Sequence, residues 1–178
     1  MHRATRLIHH PGAVCPHTGA VSPPIYQVST FAQTAVGENR GYDYSRTGNP
    51  TRSVLERTIA DLEGADEAHG LAFASGMAAI SACLTLLDTG DHVVATEGLY
   101  GGTYRLLTRI YERLGIPATF VDTSDVAAVE AAVTDRTRMI FVETPSNPTM
   151  RITDLGAVAD LVHRHNAILA VDNTFMSP

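Results

Sequence analysis

The chain has 178 residues, a formal net charge of -6, 44% hydrophobic residues and 18% charged residues. This length is enough for one domain with a hydrophobic core and short for two, and the composition excludes a disordered chain. No run approaches the ~20 apolar residues that a membrane-spanning helix needs, so no membrane partner is expected. The acidic balance and the scattered arginines exclude the basic stripe that nucleic-acid binding would require.

The chain contains no lysine, because all 13 residues in the pooled count of lysine and arginine are arginines. About ten lysines would be usual in a soluble chain of this length. Their absence excludes any reaction in which this chain supplies a lysine amine. It therefore excludes both a Schiff base on a lysine of this chain and a P-loop lysine.

The two cysteines, Cys15 and Cys83, follow no recognisable pattern, and Cys83 lies in an apolar helical run that predicts a core position. No signal peptide is recognisable at the N-terminus, so a reducing cytoplasm is expected. His163 and His165 are two residues apart and do not share a helix face. No metal site is predicted.

Residues 1–48 differ from the rest of the chain, because they contain four prolines, five glycines and no sustained hydrophobic periodicity. A stretch of this length without a regular element is uncommon in a compact domain unless it binds something. We therefore predict an extended N-terminal arm over residues 1–48, which wraps a partner or lines a site. Residues 49–178 form the predicted domain.

Regular elements begin at Asn49, which is predicted to cap a helix that has Pro50 at its first position and ends before Gly64. Strands are predicted over residues 70–74, 92–95, 118–121, 139–142 and 168–171. Helices are predicted over residues 76–87, 103–114, 126–133 and 154–165, the last two with Asp125 and Thr153 as their N-caps. This alternation predicts an α/β fold with a mainly parallel sheet and helices on both faces.

Polar residues follow several predicted strands, and ligands of parallel sheets bind at the carboxyl ends of the strands. Gly76 opens a helix whose N–H groups suit a phosphate, and Tyr100 lies in a glycine-rich loop. Asn147 and Asp172 follow two further strands. Each feature alone is more often a cap or turn residue, but their shared edge favours a ligand site. In the arm, Tyr44 and Arg46 suit an anion.

Five motifs resemble the Cys/Met-metabolism family of pyridoxal-phosphate enzymes: YDYSRTGNPT at 42–51, SGMA at 75–78, LYGGT at 99–103, VETPSNP at 142–148 and VDNTF at 171–175. The resemblance spans the whole chain. It implies pyridoxal 5'-phosphate as cofactor and the large domain of a fold-type I enzyme. It also implies a homodimer, usually paired into tetramers, with active sites at the subunit interface.

The resemblance also implies roles for individual residues. Gly76 and Met77 would bind the cofactor phosphate through their N–H groups, and Tyr100 would stack on the pyridine ring. Asp172 would pair with the protonated ring nitrogen, and Asn147 would bind the phenolic oxygen. The remaining assignments are phosphate binding in the neighbouring subunit by Tyr44 and Arg46, support of the ring environment by Thr174, and substrate contacts by Tyr100 and Arg105.

The reaction implied by the family is elimination or replacement at Cβ or Cγ of a sulfur amino acid. Methionine γ-lyases typically have a cysteine at the position of Gly102, so the glycine disfavours that activity. The sequence around Tyr100 is most similar to cystathionine γ-synthase and γ-lyase, which act by γ-replacement or γ-elimination. Cystathionine β-lyase and O-acetylhomoserine sulfhydrylase remain alternatives.

The family's Schiff-base lysine follows the ring-binding aspartate farther along the chain than Pro178. The 178 residues are therefore expected to be the N-terminal part of a working enzyme and to be inactive alone. The alternative is a truncated, non-catalytic protein that binds the cofactor non-covalently or pairs with a full-length relative.

Overall fold

A computed structural model of the chain describes residues 2–9, 13–65 and 69–176. The chain divides into two compact units, Met1–Ala72 and Phe73–Ser177. We predicted a boundary after residue 48, between an arm that reaches a second subunit and the domain that follows. This boundary stays a prediction. None of the described helices is long and apolar enough to cross a membrane.

In the described residues of the first unit there are two α-helices, α1 (Arg3–Ile8) and α2 (Pro50–Leu62). The predicted cap of α2 is confirmed, because the Asn49 side chain accepts a hydrogen bond from the Thr51 N–H at 2.9 Å. Pro50 occupies the first helical position, where its missing N–H leaves no intrahelical bond unmade. Gly64 follows the helix with φ at 75°, a left-handed conformation that glycine adopts without strain.

Helix α1 lies inside the segment that we predicted to have no regular element. Six residues are too few for a helix that is stable by itself, so tertiary contacts must support it. The Arg6 guanidinium forms a salt bridge with the Asp61 carboxylate on α2 and donates to the Asp61 carbonyl at 2.9 Å. The prediction of an arm without regular structure is therefore wrong for Arg3–Ile8, because local periodicity does not reveal this pairing.

The strand predicted over residues 70–74 is absent, and the segment is irregular. Its apolar composition suggested a strand, but within the first unit its backbone binds helix α2. The Ala72 N–H donates to the Glu56 side chain at 3.0 Å, and a Cβ built on Gly70 would lie only 2.0 Å from the Glu56 carbonyl oxygen. Contact with a helix replaces strand pairing here.

The second unit contains the sheet. Its elements are α3 (Gly76–Leu84), β1 (His92–Thr96), α4 (Gly101–Leu106), a π-helical turn (Leu107–Tyr111), a 3-10 turn (Glu112–Leu114), β2 (Ala118–Val121), α5 (Val126–Ala132), β3 (Thr137–Glu143), α6 (Leu155–Arg164) and β4 (Ile168–Asp172). All strand pairs are parallel, in the order β2-β1-β3-β4. The predicted parallel α/β sheet is confirmed.

Helices cover both faces of this sheet, as predicted. On one face, side chains from α3 and from the α4 region pack on alternate strand residues. The helix side contributes Leu84, Leu107 and Tyr111, and the strands contribute Val93 and Phe141. On the other face, side chains from α5 and α6 pack on the intervening residues, among them Val129, Val158, Leu161, Val94 and Ile140. Because successive strand residues point to opposite faces, β1 and β3 are buried on both sides.

Two helix predictions on the first face need correction. Helix α3 ends at Leu84, three residues before the predicted end, and Cys83 is exposed although we predicted a core position. One stripe of a helix faces the core, and α3 uses the stripe that contains Leu84, so the preceding residue points elsewhere. The helix predicted over residues 103–114 begins at Gly101 and continues as the π-helical and 3-10 turns.

The N-cap of α6 is Asp154, not Thr153 as predicted. An Asp154 side-chain oxygen accepts from the Ala157 N–H at 3.0 Å. The Thr153 hydroxyl is buried and lies 2.9 Å from the Thr123 hydroxyl, so it is used in the interior. Both residue types cap helices well, and sequence alone does not separate adjacent candidates.

A buried histidine links three strands at the amino end of the sheet. His92 Nδ1 lies 2.8 Å from the Thr137 hydroxyl on β3, and His92 Nε2 lies 2.9 Å from the Thr119 hydroxyl on β2. Burial, together with the positive charge of Arg136, lowers the pKa of His92 below its ordinary value. The neutral ring therefore suits this position, with one nitrogen as donor and the other as acceptor.

We expect the free energy of unfolding to fall as the pH decreases below about 6.5, the ordinary histidine value. Because the folded-state pKa of His92 is lowered, the unfolded chain binds more protons between the two pKa values. The His92 contribution to the slope is at most about 1.4 kcal/mol per pH unit, since one group binds one proton. Urea unfolding of wild type and His92→Gln from pH 8 to pH 5 measures this contribution.

The exposed His163 on α6 provides the matched control. His92→Gln should reduce the pH slope more than His163→Gln does. Equal slopes in wild type and His92→Gln would contradict the assignment.

Candidate functional site

A cavity of about 380 Å³ lies within the second unit. It is lined by Ser75, Gly76, Met77, Ile80, Tyr100, Glu143, Pro145, Asn147, Asp172, Thr174 and Phe175. Six of the eight residues that the sequence assigned to the cofactor are in this set. The structure thus brings the ends of β1, β3 and β4 together with the start of α3. Which part of the cofactor each of these residues binds stays a prediction.

The start of α3 offers two backbone donors. The Ser75 side chain accepts from the Ala78 N–H at 3.2 Å, which caps the helix. The N–H groups of Gly76 and Met77 have no acceptor in the described part of the chain. A Cβ built on Gly76 would meet nothing within 4 Å, so the space beside these donors is open. Free N–H groups and the helix dipole together suit a phosphate.

Tyr100 directly precedes α4 and presents an aromatic ring to the cavity, with the side chain about half exposed at 51%. Gly102 is crowded by this ring. A Cβ built on Gly102 would lie 2.4 Å from Tyr100 Cε1 and 2.8 Å from Met77 Sδ. The observed ring position therefore requires a glycine at residue 102. This is the residue at which the motif of this chain differs from the cysteine typical of methionine γ-lyases.

We expect Gly102→Ala to weaken binding of an aromatic ligand by about threefold to tenfold, the worth of one ring-stacking contact. The added methyl group would rotate the Tyr100 ring away from its position. Since this ring is half exposed, the free energy of unfolding should change by less than about 1 kcal/mol. Urea unfolding and equilibrium dialysis with a pyridine ligand measure the two quantities.

The neighbouring Gly101→Ala is the matched control, because its Cβ would meet only the flexible Arg105 guanidinium, at 3.3 Å. It should leave ligand affinity unchanged. Equal losses of affinity in Gly101→Ala and Gly102→Ala would contradict the role of the ring position.

Asp172 ends β4, and the backbone turns directly after it. Its Oδ1 accepts from the Thr174 hydroxyl at 2.5 Å and from the Thr174 N–H at 3.1 Å. Its Oδ2 has no hydrogen bond within the described residues. Next to it, the Asn173 side chain donates to the Thr144 carbonyl at 2.6 Å, which fixes the turn. Thr174 therefore orients Asp172 and leaves one carboxylate oxygen for a ligand.

A second carboxylate lies directly beside Asp172, because Glu143 is its register partner across the β3–β4 pair. Glu143 is buried, and both its oxygens accept backbone hydrogen bonds: from the Tyr100 N–H at 2.7 Å and from the Asn147 N–H at 3.2 Å. Asp172 keeps a free oxygen and Glu143 does not. Asp172 can therefore accept a hydrogen bond from a ligand, whereas the oxygens of Glu143 are already used by the backbone.

Glu143 lies in the motif at 142–148, but no role was predicted for it. A group of buried threonines near the cavity was not predicted either. The Thr123 hydroxyl lies 3.0 Å from that of Thr96 and 2.9 Å from that of Thr153, and the Thr153 N–H donates to the Thr144 hydroxyl at 3.1 Å. These contacts join the ends of β1, β2 and β3. The available signal was a threonine or glutamate at or shortly after the ends of β1, β2 and β3, namely Thr96, Thr123 and Glu143.

Three sequence-assigned residues lie outside the cavity lining. Arg105 is on α4, with its guanidinium near Gly101. Tyr44 and Arg46 belong to the first unit, where the Arg46 guanidinium lies 5.0 Å from the centre of the Tyr44 ring, a cation–π contact. The Arg52 side chain donates to the carbonyls of residues 45–47, which fixes the loop that presents this pair. Substrate contact by Arg105 and phosphate binding by the pair stay predictions.

A parallel sheet whose carboxyl edge combines free helix N–H groups, an aromatic ring and an available carboxylate is typical of the edge at which α/β domains bind their ligands. The family model described as Cys/Met metabolism PLP-dependent enzyme matches residues 4–178. The chain belongs to this family, and the cofactor of the family is pyridoxal phosphate.

Individual relatives agree with this assignment. The chain is 50% identical to cystathionine gamma-lyase of Bacillus subtilis over 178 residues, which cover 100% of this chain and 46% of the relative. It is also 50% identical to cystathionine beta-lyase MetC of the same organism over 174 residues, covering 98% of this chain and 44% of the relative. The chain spans less than half the length of both.

Among solved structures, the crystal structure of metB from Corynebacterium glutamicum superposes with a TM-score of 0.94 at 46% identity. It covers 100% of this chain, which corresponds to 46% of that chain. The fold is therefore that of fold-type I pyridoxal-phosphate enzymes.

Proposed function

We propose that the chain forms the cofactor-binding part of a pyridoxal-phosphate-dependent trans-sulfuration enzyme that acts on cystathionine or an O-acylhomoserine by γ-elimination or γ-replacement. The observation that carries the proposal is the cavity that joins the free N–H groups of Gly76 and Met77, the Tyr100 ring and the available oxygen of Asp172. These are the partners that the phosphate, the ring face and the protonated ring nitrogen of pyridoxal phosphate require.

The residues of the cavity fit this cofactor in chemistry. Gly76 and Met77 would hold the phosphate, and Asn147, whose side-chain amide has no partner among the described residues, would donate to the phenolic oxygen. Asp172 would hold a proton on the ring nitrogen by charge-assisted hydrogen bonding. Bound pyridoxal phosphate supplies an electron sink for negative charge on the substrate carbon.

Cystathionine β-lyase is the second candidate. The equal 50% identity to a γ-lyase and a β-lyase favours neither reaction. The sequence around Tyr100, with Gly102 two residues later, favours the γ-type enzymes through its resemblance to them. O-acetylhomoserine sulfhydrylase is a further alternative, which would act by γ-replacement.

Turnover by these 178 residues alone is not part of the proposal, because the chain contains no lysine. We propose that the chain binds the cofactor non-covalently and that a lysine outside it completes the site. Tyr44 and Arg46 would reach the phosphate of a second subunit in a homodimer or homotetramer, which is the function that we propose for the arm.

The first experiment is equilibrium dialysis of the chain against pyridoxal phosphate and against pyridoxal, which lacks the phosphate. We expect reversible binding of the phosphate ester, weaker binding of pyridoxal, and no lysine-linked label after borohydride reduction. Equal affinity for the two compounds would contradict the phosphate site at α3.

The second experiment distinguishes γ- from β-elimination. Residues 1–178 replace the matching segment of the Bacillus subtilis γ-lyase and, separately, of its β-lyase MetC, each of which supplies the rest of its own chain. Cleavage of cystathionine at Cγ, with uptake of water, gives cysteine, 2-oxobutyrate and ammonia, and cleavage at Cβ gives homocysteine, pyruvate and ammonia. A shift toward 2-oxobutyrate in both chimaeras supports the γ-type, and a shift toward pyruvate in both supports the β-lyase.

A further inference from the structure

We propose that Glu143 is the positioning residue of this site, and that its single carboxylate fixes the spacing between the loop carrying Tyr100 and the loop carrying Asn147. The identity of the ligand rests on the proposed function, but the tethering of the two loops does not. Glu143 binds the backbone N–H groups of Tyr100 and Asn147. The side chains of Tyr100 and Asn147 therefore remain available to a ligand.

The geometry of the carboxylate carries the proposal. Glu143 Oε2 accepts from the Tyr100 N–H at 2.7 Å, and Oε1 accepts from the Asn147 N–H at 3.2 Å. Tyr100 follows β1, and Asn147 follows β3, so one side chain bridges two loops that are 47 residues apart in sequence. Glu143 itself is 6% exposed, which keeps water from competing for these bonds.

The charge of Glu143 is satisfied by these donors alone. It forms no salt bridge within the described residues, and a buried carboxylate without a cation depends on hydrogen-bond donors for its stability. The carboxylate therefore needs the two N–H groups as hydrogen-bond donors. The two loops in turn need the carboxylate to hold these N–H groups in place. This mutual dependence makes the arrangement stiff.

The backbone of Glu143 is fixed from the opposite side. Its N–H donates to the Thr96 hydroxyl at 3.0 Å, and Thr96 belongs to the buried threonine group that includes Thr123. On β4, Asp172 is its register partner. The side chain that orients the two loops therefore extends from β3, a strand that is paired on both sides.

The consequence for binding is geometric. A planar ligand in the cavity would have the Tyr100 ring and the Asn147 amide among its contacts, because both residues line it. Binding groups need to be held within about 0.5 Å of the productive position by their supporting residues. Glu143 supplies that support for two of them at once.

The test uses the ligand-free chain first. In ¹⁵N-labelled protein, the N–H groups of Tyr100 and Asn147 should exchange with solvent about tenfold more slowly than that of Gly98, which lies in the same loop as Tyr100. Glu143→Gln keeps the shape but offers one acceptor and a competing NH₂ group, and it should raise the exchange rate of at least one of the two amides about tenfold. Glu143→Asp, one methylene shorter, is the second variant if the first does not fold.

Glu97→Gln is the matched control, since Glu97 follows β1 directly, is 53% exposed in its side chain, and pairs with Arg151. It should change neither exchange rate. Fast exchange of either amide in the wild type, or no change in a folded Glu143 variant, would overturn the proposal.

The second readout is the dissociation constant for pyridoxal phosphate, which should rise about tenfold in Glu143→Gln while the amide signals of Gly76 and Met77 stay unchanged. A urea midpoint that falls together with shifted α3 signals would mean a general structural role and would overturn the proposal. If the wild type does not bind pyridoxal phosphate, the proposed function fails, and the exchange rates still decide the tethering.

Discussion

Asp172→Asn is expected to weaken binding of pyridoxal phosphate by about tenfold to a hundredfold, because a hydrogen bond to a charged group contributes about 1.5–3 kcal/mol. The carboxylate is half buried at the end of β4, and Thr174 already uses its Oδ1. The substitution preserves shape and keeps one acceptor oxygen, but it removes the charge that stabilises a protonated ring nitrogen.

The measurement pairs the variant with a modified ligand. The 1-deaza analogue of pyridoxal phosphate carries a carbon in place of the ring nitrogen, so it cannot form this bond. Dialysis should show similar affinity of the analogue for wild type and Asp172→Asn, and a large difference only for the natural cofactor. Asp122→Asn, at an aspartate that follows β2 and is held by Ser124 and Arg151, is the control. Equal losses for both ligands would contradict the pairing.

Gly70→Ala is expected to lower the free energy of unfolding of the first unit by about 3 kcal/mol or more, the range of severe steric substitutions. The new Cβ would lie 2.0 Å from the Glu56 carbonyl oxygen and 2.7 Å from its carbonyl carbon. These are backbone atoms of α2 and cannot rotate away as a side chain can. Either the helix or the segment around Gly70 must move, which would also break the bond from Ala72 to Glu56.

Urea unfolding followed by amide signals of α2 measures this effect on the unit concerned. Gly156→Ala is the matched control, because this glycine lies in α6 and its Cβ would meet only the Asp154 side chain, at 3.4 Å. It should leave stability unchanged or raise it by up to about 1 kcal/mol through helix propensity. A Gly70→Ala protein as stable as wild type would show that the segment does not pack on α2 as described.

Sequence patterns predicted those elements whose cause is local. Strand β1 has the apolar residues Val93, Val94 and Ala95 at its centre, and the caps Asn49 and Asp125 act within a few residues. The errors arose where distant contacts decide. Helix α1 depends on the pairing of Arg6 with Asp61, and the apolar segment near Gly70 binds a helix where its composition indicated a strand.

The same distinction applies to the site. Gly76, Tyr100, Asn147 and Asp172 could be predicted to share one edge because the carboxyl ends of parallel strands lie together. The role of Glu143 could not, because its partners are two N–H groups in separate loops, and every residue except proline carries an N–H group. The type of a side chain predicts which chemistry it can perform. The backbone groups that a side chain binds can be identified only from the folded structure.

The strand order has a consequence for regulation of affinity. In the described part of the chain β4 has one neighbour, β3, so the strand that ends in Asp172 is an outer strand. Outer strands open more readily than inner ones, and a ligand site is competent only for the fraction of time that its residues are in place. Apparent affinity is reduced by that fraction. A further strand pairing with the free edge of β4 would therefore tighten cofactor binding without touching the cofactor.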